Sequence, residues 1–132
     1  MNIIGIELES NRMNYVVIRK VDNSFEIISS NRIVLSNTRE RNALIAFQDA
    51  VKSLFNASNP EVIAIKEKPE SGRLRAGAAS MKMEGIILAN APCKVDFVSG
   101  RRINQSDATA EELYGYLQTA LKTAHSAMIK MD

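Results

Sequence analysis

Hydrophobic and polar positions change period along this chain. Residues 2–8 are apolar up to Glu7, a run too short for a core helix and suited to a buried strand. Glu9-Ser10-Asn11-Arg12 supplies a turn, and Met13 to Lys20 then carries Tyr15, Val16, Val17 and Ile18. Such β-branched and aromatic residues favour a second strand. Val21-Asp22-Asn23-Ser24 turns again. Phe25 to Leu35 is a third extended stretch, with Phe25, Ile27, Ile33 and Leu35 apolar and a bulge expected at Ser29-Ser30-Asn31. Tight turns between consecutive strands predict an antiparallel meander.

After Ser36-Asn37-Thr38 the spacing becomes helical. Leu44, Phe47, Val51, Leu54 and Phe55 recur three or four residues apart, with Asn37 or Thr38 as the expected N-cap and Asn59-Pro60 as the stop. Val62-Ile63-Ala64-Ile65 is an unbroken apolar run, the pattern of a parallel strand buried on both faces. A loop at Glu70-Ser71-Gly72 leads to a second helix expected over Arg73–Ala91. Its small residues Ala76-Gly77-Ala78-Ala79-Ser80 would allow close approach to a sheet. Pro92 breaks that helix. Val95, Phe97 and Val98 form a last strand, residues 100–104 a connector, and Leu113, Leu117, Ala120, Leu121, Ala124 and Met128 the apolar stripe of a long final helix.

The resulting order is β-β-β-α-β-α-β-α. Right-handed crossovers then place the fourth and fifth strands parallel to the first, in a mixed sheet of order 3-2-1-4-5 with three main helices. With 132 residues and no repeat or linker, the chain is expected to be one α/β domain over residues 1–132. Mean hydropathy is −0.13 and no apolar run nears the roughly 20 residues of a bilayer span, so no membrane partner is expected. The N-terminus lacks a basic region and cleavage site, and Cys93 is alone, which leaves no intrachain disulfide or cysteine-based zinc site. These features point to the cytoplasm. Seventeen basic against fifteen acidic side chains give +2, a balance that neither demands nor opposes a nucleic-acid partner.

Two acids carry the candidate chemistry. Glu7 is the sole charge of the first strand, and Glu67 follows the fourth strand closely. If these strands are parallel neighbours, both carboxylates emerge at the carboxyl edge of the sheet, where open α/β sheets gather ligands. Two hard oxygen donors there would need a cation such as Mg²⁺ or Mn²⁺ between them, and such metals serve phosphodiester cleavage. The plainer alternative is that Glu7 marks an exposed strand end and Glu67 pairs with Lys66 or Lys68. A third acid would come from the start of the last helix, where Glu112 is preferred over Asp107 and Glu111; all three equally suit a helix dipole. Arg73, Arg75, Lys82, Arg101 and Arg102 are the candidate phosphate contacts, or simply a solvated surface. His125 reads as a boundary residue and Cys93 as a packing residue.

Ile4-Gly5-Ile6-Glu7 resembles the opening strand of the RuvC-type Holliday-junction resolvases and their small RNase H-like relatives. Ala64-Ile65-Lys66-Glu67 is similar to their fourth strand, which ends in a catalytic glutamate. Met83 to Ala89 and Val95-Asp96-Phe97-Val98-Ser99 look like the helix and strand that come next. The chain is closer still to a family of small bacterial RNase H-like proteins. This resemblance implies an RNase H-like fold and a nuclease acting on structured nucleic acid with Mg²⁺ or Mn²⁺, held by Glu7, Glu67 and Glu112. A homodimer stays open. Two departures stand out: the resolvases use aspartate in the first strand, where Glu7 stands here, and their last-helix aspartates have no unambiguous match. The rival reading is therefore a catalytically silent module that binds nucleic acid or a protein. A fragment of the actin-like ATPase fold would need a second lobe and a glycine-rich phosphate loop, neither of which is visible.

Overall fold

A computed structural model describes residues 1–131. The meander forms as its turns dictate: β1 (Asn2–Glu9), β2 (Arg12–Val21) and β3 (Ser24–Val34) pair antiparallel in sequence. Ser10 and Asp22 hold the two turns in the left-handed region, at φ 55° and 54°. One residue is extra on β3. Val17 faces Ser29 while Ile18 faces Ile27, so the bulge falls at Ile28, just before the stretch where sequence suggested it.

Helix α1 (Arg41–Ser58) crosses to β4 (Val62–Lys66), and α2 (Ala78–Asn90) to β5 (Lys94–Val98). Both strands are parallel to β1, and the five-stranded sheet has the order β3-β2-β1-β4-β5. A short α3 (Gly100–Asn104) replaces the expected connector, its first turn capped by the Ser99 hydroxyl, which accepts from the Arg102 N–H at 3.2 Å. The last helix is α4 (Gln118–Lys130). Among the described residues no helix is long and apolar enough to cross a membrane.

Alternation along the strands divides the core. Ile4, Ile6, Leu8, Ile63 and Ile65 point to one side, where Phe47, Val51 and Phe55 of α1 and Met83 and Ile87 of α2 cover them. Ile3, Val16, Ile18, Val62 and Ala64 point to the other, under Ala120, Leu121, Ala124 and Met128 of α4. Gly5 lies beneath that helix. A Cβ built there would run into the Ala120 carbonyl and come within 2.6 Å of the Ala124 nitrogen. The missing side chain is what lets α4 seat against β1.

Three element limits differ from expectation. α1 begins at Arg41 rather than at Asn37 or Thr38. Asn37 Oδ1 accepts the Arg39 N–H at 2.9 Å instead, and Glu40 precedes the helix without a side-chain cap. α2 begins at Ala78 rather than Arg73, because Gly72 sits at φ 88° and Gly77 is extended, and both break a helix. α4 begins at Gln118, after an irregular segment, residues 105–117, that ends in a 3₁₀ turn (Gly115–Leu117). There the Gln118 side chain donates to the carbonyls of Ala110 (2.7 Å) and Leu113 (3.3 Å), a polar anchor that substitutes for helical bonds.

Candidate site at the carboxyl edge of the sheet

Strand period decides which side chains meet. Glu7 stands two residues beyond Gly5, and so on the α4 face. Its partner across β2 is Asn14, and Asn14 in turn faces Arg32 on β3. On β4 the register Ile6–Ile65 leads to Lys66. A polar row thus crosses the sheet: Lys66, Glu7, Asn14, Arg32. The Lys66 ammonium lies 3.7 Å from Glu7 Oε2, with side chains 34% and 15% exposed. Asn14 is fully buried, and its Oδ1 accepts from Arg32 Nε at 2.9 Å. Arginine has no acceptor, so Oδ1 must face it and Nδ2 turns away, buried and without a partner among the described residues. The Arg32 guanidinium also lies 3.9 Å over the ring of Tyr116.

Glu67 is one residue further, and one residue changes face. Its N–H donates to the Val98 carbonyl at 2.8 Å, and it lines a cavity of about 320 Å³ with Lys68, Glu70, Glu84 of α2 and Phe97. Burial, and then the Glu70 carboxylate, push the Glu84 carboxyl up from its ordinary range. The two acids that sequence reading joined therefore share an edge but not a face. Glu112, with Asp107 and Glu111, is exposed in the segment before α4, and α4 itself carries no acid. Among the described residues no group of three or more histidine, cysteine or acidic side chains could hold a metal ion. Mg²⁺ and Mn²⁺ require several oxygen donors, and here one carboxylate already faces an ammonium. These residues do not fit the metal centre expected from Glu7, Glu67 and Glu112.

The basic candidates divide. Arg73 and Arg75 are exposed in the loop after β4, Arg75 reaching back to the Gly72 carbonyl at 3.3 Å, and Arg101 is exposed after β5. Arg102 turns to Asp96 in a two-pronged pair at 3.2 and 3.1 Å. Lys82 donates to the Thr38 carbonyl at 2.6 Å, in the groove between α1 and α2. His125 sits at the edge of the core as expected, its Nδ1 2.8 Å from the Ser106 hydroxyl and its ring tilted on Phe25. Burial lowers the His125 pKa, opposed by the nearby Asp107 carboxylate. Cys93 is half-buried, its thiol pushed up by that burial, in keeping with packing. Sequence reading missed Lys66 as the partner of Glu7, although a count of two along each strand from Gly5 and Ala64 pairs them. It also missed Asn14, Arg32, Tyr114 and Tyr116, whose approach depends on tertiary folding.

A family model described as "Protein of unknown function (DUF3010)" matches residues 1–131. No curated protein matches. Among solved structures, Thermus thermophilus RuvC superposes with a TM-score of 0.80 at 14% identity, covering 99% of this chain and 95% of that one. The same protein in complex with Holliday junction substrate gives 0.81 at 13% identity, covering 99% and 94%. Fowlpox virus resolvase in its complex with substrate Holliday junction DNA gives 0.60 at 13% identity, covering 99% of both chains. At such identities the likeness shows the fold, which is the RNase H-like α/β fold of these resolvases.

Proposed function

Because the chain belongs to the DUF3010 family and folds as the resolvases do, we propose that it binds structured nucleic acid without cutting it. One observation carries the reading: Lys66 Nζ stands 3.7 Å from Glu7 Oε2, so the row's own ammonium takes the place of a cation. The absence of any acid from α4 supports it. Binding would fall to the exposed cations that follow β4 and β5, Arg73, Arg75 and Arg101, which meet phosphates whatever the base sequence. Fluorescence anisotropy with labelled four-way junction, RNA–DNA hybrid and single strand should show binding that weakens steeply with salt. Calorimetric titration with Mn²⁺ should show no binding, and none of the substrates should be cleaved in Mg²⁺ or Mn²⁺. Cleavage that needs Mn²⁺ and disappears in Glu7→Gln or Glu67→Gln would overturn this and return the metal-dependent nuclease.

A further inference from the structure

Residues 114–116 carry two tyrosines that the folded core does not absorb. Their rings are parallel within 6° and 5.8 Å apart between centroids. Tyr116 has the Arg32 guanidinium over its ring, and Arg32 is itself held by the buried Asn14. Tyr116 thus lies against both the Arg32 guanidinium and the ring of Tyr114, and Arg32 ties the pair to the sheet. Tyr114 is 72% exposed. Leaving so large an aromatic face in water is unfavourable for a free surface, yet the Leu117 N–H, which donates to the Tyr114 carbonyl at 2.9 Å, and the Gln118 anchor hold the segment in place. Planar guanidinium and rings are the arrangement that stacks on an unpaired nucleobase, whereas the bases of an intact duplex offer no free face.

We propose that Tyr114 and Tyr116 form a stacking platform for an unpaired nucleobase, so that the protein prefers nucleic acid with single-stranded segments to plain duplex. This rests on the nucleic-acid reading above and names its substrate class. Arg32 contributes twice. It polarises and fixes Tyr116 through its planar cation, and it adds positive charge beside the strand whose base is stacked. Lys66 and Glu7, at the other end of the row, neutralise each other and leave this end as its unbalanced positive part.

The test uses the whole chain and three probes: labelled oligo(dT), a four-way junction with an unpaired dT bulge, and a blunt duplex. Tyr114→Ala should lower the ratio of single-strand to duplex affinity on the order of tenfold, as expected for one lost aromatic–base stack, and Tyr114→Phe should restore it. Arg32→Lys should lower the ratio in the same sense, because an ammonium lacks the planar stack. A 2-aminopurine placed in the single strand should be quenched by the native protein and less so by Tyr114→Ala. If duplex and single strand bind but the ratio and the quenching are the same in Tyr114→Ala, the platform is refuted while the binding reading stands. If no probe binds the native chain, both are refuted.

Discussion

At the scale of single residues, two glycines predict opposite outcomes from the same substitution. Gly5→Ala drives a methyl into the backbone of α4 at Ala120 and Ala124, where no flexible side chain can yield. It should destabilise by about 3 kcal/mol, the upper end of the usual range for overpacking, as a lower urea midpoint. Gly85→Ala lies inside α2 with nothing within 4 Å of the new methyl. It should stabilise by about 0.5–1 kcal/mol through helix propensity and lost unfolded-state freedom. Glu7→Gln separates the two functional readings. A nuclease ligand would be lost with it. On the reading favoured here it frees the Lys66 ammonium at the edge, so binding should be retained or tightened, and the slope of log affinity against log salt should steepen by about one unit. The pair itself is partly exposed and contributes no more than about 1 kcal/mol to stability.

Among elements, the segment before α4 is held by contacts that titrate. Ser106 Oγ accepts the Ala108 N–H and lies 2.8 Å from His125 Nδ1, a hydrogen bond in which either atom donates according to the ring tautomer. Burial lowers the His125 pKa below its unfolded value, so the neutral ring is favoured by folding. The stability it adds is present above the ordinary histidine range and is lost as pH falls through the lowered value. Denaturant midpoints of the native chain and His125→Phe should therefore differ most near pH 7.5 and converge toward pH 5. Glu84 has the opposite sign. Its raised pKa disfavours the carboxylate, a penalty that sets in as pH rises past the ordinary glutamate range. Glu84→Gln should raise the melting temperature at pH 7 and lose that advantage near pH 4. Neither helix start at issue was legible from apolar spacing. Ala78 and Gln118 begin their helices because Gly72, Gly77 and a side-chain anchor prevent earlier ones, whereas the apolar stripe of Leu113 and Leu117 continues through residues that are not α-helical.

For the whole molecule, the inner strands β1 and β4 are covered on both faces, with Ile3, Ile4, Ile6, Ile63, Ala64 and Ile65 wholly inaccessible. Their amides should exchange most slowly in deuterated water, and those of residues 70–74, exposed in the loop after β4, most rapidly. Slow exchange confined to β3 would contradict the core drawn here. Sheet order was legible because a meander and two right-handed crossovers leave little choice, and Val62–Ile65 beside Ile3–Ile6 followed from an apolar run that only a central strand would carry. The site was half legible. Glu7 stood out as a lone charge, but its partner was assigned to Glu67 by nearness to the strand end, whereas the pleat selects Lys66. The closing helix also has a consequence in time. The ribosome makes Gly5 more than a hundred residues before the helix that must lie on it. Until α4 has emerged, Ile3, Val16, Ile18 and Ala64 form a bare apolar floor on the nascent chain. The other face can close earlier with α1 and α2, so the growing protein passes through a one-sided stage that a chaperone could recognise and self-association could exploit.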